Sequence, residues 1–229
     1  METIQITKNP KILFTLIHNL ALVLETRDDT MLEADLLRCL TIFSKLLDQN
    51  APRVVCHALR AMVNIFQQNN HTVEFENDLV ESMLEKVKIH TLSCNKYIKE
   101  DASLTLLCLL ENCSEQVSHM TLMELFEFIE NISLSALDPN KEENYKFVSY
   151  TLFVLRQVCL ILNSRVGFDD SQKERLIKVI LKYDQNMWNS YHCSDSVTQT
   201  WSFTYSMLEP NFPGVDKLTV TILANIQLL

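Results

Sequence analysis

The chain has 229 residues, 47% of them apolar and 21% charged, with only 2 glycines and 5 prolines. Its length allows one domain or at most two, with a core large enough to need neither disulfide nor metal. Phosphate-cradling loops need closely spaced glycines, yet Gly167 and Gly214 stand 47 residues apart, which excludes a Walker loop and a dinucleotide fingerprint and disfavours turn-rich all-β folds.

The formal charge is −9, from 20 Lys plus Arg against 29 Asp plus Glu. That balance discourages diffuse binding to nucleic acid or anionic membrane unless the basic residues are segregated. Seven cysteines, at positions 39, 56, 94, 108, 113, 159 and 193, form no C-x-x-C pair and mostly lie in apolar helical patterns, as small core residues do. An odd count without a framework suits a reducing compartment, so an intracellular protein, cytoplasmic or nuclear, is expected. The rival is a secretory leader over residues 12–24, which follows Lys8 and Lys11. That stretch contains His18 and Asn19, lacks a small-residue cleavage site and runs into the charged residues 25–29. No contiguous apolar run approaches the roughly 20 residues a membrane helix needs, so no membrane contact is expected.

Apolar residues recur at three- and four-residue spacing almost throughout, the pattern of amphipathic helices, and no segment shows clean period-two alternation. The first helix is predicted from Pro10 to Glu25, with Pro10 suited to a first turn. A second spans residues 30–49, and a third runs from Pro52 to Gln68. The fourth covers residues 77–90 with Asn77 or Asp78 as its cap, and the fifth 95–111. The sixth spans 121–137, and Asp138-Pro139-Asn140 then breaks the pattern. A long seventh covers 142–163, its Glu142 and Glu143 favouring the helix start electrostatically. An eighth follows the acidic cap Asp169-Asp170 and ends near Tyr183. The ninth covers 194–208, before Pro210 and Pro213, and a tenth occupies 215–229 with no cap or polar tail. Terminal helices of a stack normally carry a polar outer face, so the chain reads as the N-terminal part of a longer protein, or this end docks on something, a second copy included. The fold class is all-α.

The helices pair, and the pairs repeat. An offset of 44 superposes Val54, Ala58, Met62 and Phe66 on Ile98, Ala102, Leu106 and Leu110. A further offset of 49 brings Ile98, Ala102 and Leu106 onto Phe147, Thr151 and Leu155. Periods in the forties mark stacked helical hairpins, each unable to bury its apolar face alone. The string from Leu46 to Leu59 (Leu-Leu-Asp, a turn with Pro52, Val54, then Ala58-Leu59) resembles the junction between the two helices of a HEAT repeat. Val55 stands where that family usually has Arg, and Thr151 replaces the second-helix Ala, which leaves HEAT and armadillo both open. The resemblance is good over residues 30–112 and weaker to 165. It implies a right-handed α-solenoid of nine to ten helices in antiparallel pairs, one domain over 1–229, with an atypical aromatic-rich end at 183–229.

The resemblance also implies that the second helix of each pair lines a groove for partners. Between Gln49 and Val73 there is no acidic residue, only Arg53, His57, Arg60 and His71; between Asn144 and Phe168 there are only Lys146, Arg156 and Arg165 among charged residues. Arg53, His57, Arg60 and Asn64 are spaced 4, 3 and 4, which puts them on one stripe of a helix. Lys96 and Lys99 lie on the fifth helix, beside Glu100 and Asp101. Such a stripe is either a solvated face or a basic groove for an acidic or helical segment of another protein. Trp188, Tyr191 and Trp201 sit in an aromatic segment without Lys or Arg; they fill a gap at the end of the stack or form a binding patch, the first being the more common use.

Tests for chemistry mostly fail. His192-Cys193 has no third ligand within motif distance, Cys108 and Cys113 read as core, and His18, His90 and His119 stand alone. No nucleophile motif or zinc-helix motif occurs. The expectation is a non-catalytic interaction scaffold without metal, cofactor or small-molecule ligand. The alternatives are a tubulin-binding domain of the TOG type, using helix-turn lysines and arginines, and a nucleic-acid-associated subunit using the basic second helices.

Overall fold

Prolines open two of the helices because a first-turn residue has no intrahelical partner for its N–H, and a ring that fixes φ is pre-organised there. In the computed structural model α1 is Pro10–Glu25 and α3 is Pro52–Gln68. The structure describes residues 9–25, 33–68, 75–136 and 145–165 and, of 169–179, all but 170, 173 and 177. The other elements are α2 (Glu33–Leu46), α4 (Asn77–His90), α5 (Lys96–Asn112), a 3-10 turn (Ser114–Gln116), α6 (His119–Ala136) and α7 (Tyr145–Arg165). Further helical residues follow between 171 and 179. All regular structure among the described residues is helical.

The bounds of α1, α3 and α4 are those the periodicity predicts, and the differences elsewhere have local causes. Helix α2 stops at Leu46 because the Asp48 and Gln49 N–H groups turn back to the Lys45 and Leu46 carbonyls, at 3.4 and 3.2 Å, in a tighter three-residue loop. Helix α6 starts before Thr121 because the Ser118 hydroxyl accepts the Thr121 N–H at 3.2 Å. The cap expected of α4 is corrected: extended Glu76 occupies that position without a side-chain bond, and Asp78 lies in the first turn, where its charge favours the helix dipole. Asn9 and Asn95 cap α1 and α5 by accepting the Lys11 and Tyr97 N–H groups, each at 3.0 Å. The expected cap at Asp169 is reciprocal. Its carboxylate accepts the Gln172 N–H at 2.7 Å while the Gln172 side chain accepts the Asp169 N–H at 3.0 Å, a capping box.

The chain forms two compact units, Met1–Leu122 and Met123–Leu229. In the first, α2 packs on α3 and α4 on α5, each joined by a short turn that makes the neighbours antiparallel. The pairs stack through like helices: α1 on α3, α3 on α5, and α2 on α4. Leu36, Leu40, Phe43, Leu59, Met62, Met83, Leu84 and Leu106 are fully buried between them, each contributing roughly 1.5–3 kcal/mol relative to exposure. Polar bonds follow the same stacking. Lys86 on α4 donates to the Ser44 carbonyl at 3.2 Å and to Asp48 at 2.6 Å, and His90 Nε2 donates to the Leu47 carbonyl at 2.9 Å. The Glu81 carboxylate accepts from the Ser118 N–H and the Thr121 hydroxyl at 3.1 and 3.2 Å, fixing the start of α6.

In the second unit, Arg175 lies over the Phe126 ring at 5.1 Å and bonds the nearly buried Glu130, through Nε at 2.9 Å and through its terminal nitrogen. Helix α7 buries Phe147, Thr151, Leu155, Val158 and Leu162. It also corrects one expectation: Lys146–Arg165 is long and apolar enough, by length and composition, to cross a bilayer. Its polar residues are uncharged apart from Lys146, Arg156 and Arg165, so the mean stays apolar without an unbroken run. Within the protein more than half of its apolar stretch is buried, as in a core helix.

Candidate functional site

Helix α3 is two-faced. Val54, Val55, Ala58, Leu59, Ala61, Met62, Ile65 and Phe66 are buried, which turns Arg53, His57, Arg60, Asn64 and Gln67 to the other side, exposed or half-buried. The 3.6-residue period alone produces this division. The structure thus brings Arg53, His57, Arg60 and Asn64 onto one face, the spacing expected of them.

Neighbouring helices change what that face is. The His57 Nδ1 lies 3.1 Å from the Arg53 carbonyl, and its ring stands edge-on to Phe14 and His18 of α1, with centroids 4.7 and 5.5 Å away. Phe14 and His18 are themselves stacked at 6.0 Å. His18 therefore does not stand alone as the sequence suggests. Its partner is 39 residues away, reachable only once α1 and α3 are known to pack. Burial first, then the nearby Arg60 and His18, pushes the His57 pKa below its ordinary value, with the Arg53 carbonyl acting against them.

Arg60 is held by α5. Its Nε donates to Asp101 Oδ2 at 2.9 Å, and the same oxygen accepts from the Cys56 thiol at 2.8 Å. Burial works against the Arg60 charge, but the Asp101 carboxylate outweighs it and its pKa is raised. Burial and then the Asp101 bond push the Cys56 thiol up to about 12, which disfavours the reactive thiolate. Thr105 completes the seam, its single hydroxyl proton shared between the Asp101 carbonyl at 2.7 Å and the Leu59 carbonyl at 3.2 Å. Sequence reasoning places Asp101 on α5 but does not connect it with the stripe. The available signal is the repeat offset, since Arg60 and Asp101 are 41 residues apart.

The remaining candidates are dispersed. Lys96 is exposed at the first position of α5, with Nζ 5.0 Å above the Tyr97 ring, and half-buried Lys99 lies one turn on. Lys146, exposed, and Arg156, half-buried, belong to α7 in the second unit. Trp188, Tyr191 and Trp201 lie outside the described residues, as does the pair His192-Cys193. Charge sorts by helix class. The second helices (α1, α3, α5, α7) carry Lys11, Arg53, Arg60, Lys96, Lys99, Lys146, Arg156 and Arg165 against Glu25, Glu100, Asp101 and Glu111. The first helices (α2, α4, α6) reverse this, with Arg38, Lys45, Lys86 and Lys88 against Glu33, Asp35, Asp78, Glu81, Glu85, Glu124, Glu127 and Glu130.

Other chemistry has little to stand on. Burial pushes the Cys39 thiol up to about 11 and those of Cys108 and Cys113 to about 12, and raises Cys159 as well. Among the described residues no three His, Cys, Asp or Glu side chains gather to hold a metal ion.

No protein-family profile and no curated protein matches the chain. Solved structures do. It is similar to the designed armadillo repeat protein YIII(Dq)4CqI, at 12% identity and a TM-score of 0.61, over 93% of this chain and 84% of that one. It is also similar to the designed armadillo repeat protein YIII(Dq.V1)4CPAF in complex with peptide (KR)4, at 12% identity and a TM-score of 0.63, over 100% of this chain and 90% of that one. An engineered protein, target OR329 of the Northeast Structural Genomics Consortium, aligns at 12% identity and a TM-score of 0.53, over 87% and 91% of the two chains. Such likeness speaks for the fold alone, and the fold is that of an armadillo- or HEAT-like helical repeat.

Proposed function

We propose that this chain is a non-catalytic interaction module that presents the α3 face to an acidic segment of another protein, inside an intracellular complex. The observation that carries the reading is the row Arg53, His57, Arg60, Asn64 and Gln67, which repeats at helical spacing opposite a fully apolar face. Preformed rows of side chains on a rigid stack recognise a peptide with little ordering cost on the protein's side. Support comes from the structural neighbour that holds the peptide (KR)4. That peptide is basic; here the described face carries Arg53 and Arg60, so the complementary segment is acidic. Among the described residues Cys39, Cys56, Cys94, Cys108, Cys113 and Cys159 are free thiols, which fits a reducing compartment.

The test compares fluorescent (ED)4 and (KR)4 peptides on the 229-residue chain. We expect (ED)4 to bind more tightly, and Arg53→Glu with Arg60→Glu to reverse the order while the circular dichroism spectrum stays unchanged and melting falls modestly with loss of the Arg60–Asp101 pair. Preference for (KR)4, or (ED)4 binding unchanged in the double variant, would overturn the reading.

A further inference from the structure

Three of the large apolar side chains exposed among the described residues occur together. Ile89, Leu92 and Tyr97 are 64%, 62% and 55% exposed, all at the turn joining α4 to α5. The backbone there is closed, not frayed. The Leu92 N–H donates to the Ile89 carbonyl at 3.2 Å, the Ser93 N–H to the His90 carbonyl at 3.1 Å, and the Ser93 hydroxyl accepts the Asn95 N–H at 3.2 Å. His90 is anchored to the Leu47 carbonyl of the preceding pair. These bonds fix the backbone that carries the three side chains.

The fold does not require apolar residues there. The equivalent turn before α3 exposes Asp48, Gln49 and Asn50, so the same connection is made with polar side chains one repeat earlier. A cation stands beside Tyr97: the exposed Lys96 ammonium lies 5.0 Å above its ring. Exposed apolar residues concentrated at one turn beside a charge differ from the singly scattered apolar residues of an ordinary surface, and Tyr is a favoured binding anchor.

We propose that this turn is a second docking surface, for a protein segment that buries one large apolar side chain against Ile89, Leu92 and Tyr97 and sets a carboxylate beside Lys96. Charge complementarity selects that occupant, because a carboxylate gains from Lys96 what a neutral segment does not. A bilayer fits less well, since three side chains offer little area for interfacial anchoring and a chain of net charge −9 is repelled by anionic headgroups. The two readings rest on different side chains, Arg53 and Arg60 on α3 against Leu92 and Tyr97 at this turn, so each can fail alone.

The test is selection of a random short-peptide display library on the 229-residue chain, followed by affinities of the enriched peptides for Leu92→Asp, Tyr97→Ser and Arg53→Glu/Arg60→Glu proteins. Leu92 and Tyr97 are exposed, so their variants should keep the parent circular dichroism spectrum. We expect peptides with a large apolar residue next to Asp or Glu. We expect their affinity to fall about tenfold or more in Leu92→Asp and Tyr97→Ser and to hold in the α3 double variant. Failure to enrich that motif overturns the proposal, as does equal binding to Leu92→Asp or loss confined to the α3 variant. Leu92-dependent binding to phosphatidylserine vesicles without peptide binding would identify a bilayer contact instead, and a Leu92-dependent dimer in sedimentation would identify a second copy.

Discussion

Arg60 and Asp101, 41 residues apart in the chain, are joined across the seam between α3 and α5 by a bond of 2.9 Å from Nε to Oδ2. The guanidinium side chain is 54% exposed and the carboxylate side chain only 15%, so the pair sits at the rim of the α3 face with its acid tucked underneath. Asp101 therefore tempers the positive charge of the stripe at its centre.

Asp101→Asn removes that tempering charge and keeps an oxygen able to accept from Arg60 or from the Cys56 thiol. With Arg60 half in solvent the pair contributes on the order of 1 kcal/mol, and Asn keeps an acceptor for both partners, so melting should shift only modestly. Binding of (ED)4 should tighten roughly two- to five-fold, the effect of about 0.5–1 kcal/mol in surface electrostatics. Fluorescence anisotropy at low salt measures this directly. Unchanged or weaker binding would mean that the charge of the α3 face is not what an acidic segment reads.

Helix periodicity is legible in single residues here because burial and repeat agree. Val54, Ala58, Met62 and Phe66 and their offset equivalents Ile98, Ala102, Leu106 and Leu110 are all buried, as are Phe147, Thr151 and Leu155 in the next register. Long-range polar partners are not legible in that way. Asp101 with Cys56, His18 with His57, and Arg175 with Glu130 each join residues about one repeat apart, and a charge or a ring carries no sign in sequence of which neighbour it faces. The exposed trio Ile89, Leu92 and Tyr97 escapes pattern reading for a related reason. It lies at a turn, where helical phase no longer says what points outward.

His57 gives the pH dependence a direction. Its pKa is lowered from the ordinary 6.5 by burial first, then by Arg60 and His18. The native protein thus takes up this proton less readily than the unfolded chain does. The neutral ring costs nothing above the unfolded value; as pH falls below about 6.5 the unfolded state gains the proton first, and stability declines until the folded value is passed. The melting temperature should therefore fall on acidification through this window, and His57→Gln should flatten that part of the curve. Glu81 acts in a separate, more acid window. Its carboxylate is held below its usual range by the Ser118 backbone bond and then by the Ser118 and Thr121 hydroxyls, so its contribution is lost only as pH falls below about 4.5. NMR titration of the histidine rings checks the first assignment, and a His57 midpoint at or above 6.5 would refute it.

Ala58, Ala102 and Thr151 occupy one position of the repeat, and all three are buried to 1% exposure or less. Ala102→Leu would insert a branched side chain where α3 and α5 meet, and overpacking of a closed core costs about 1–3 kcal/mol. Thr151→Ala should behave differently. The Thr151 hydroxyl donates to the Phe147 carbonyl of its own helix at 2.7 Å, a local bond that competes with the helix's own ladder and adds little to it. Removing it restores the small side chain of the other repeats, with an expected change within about 1 kcal/mol. Urea denaturation of the two variants followed by circular dichroism separates the cases. A destabilised Thr151→Ala protein together with an unaffected Ala102→Leu protein would show that the offset of 49 residues aligns the wrong positions and that the α3–α5 seam is open at Ala102.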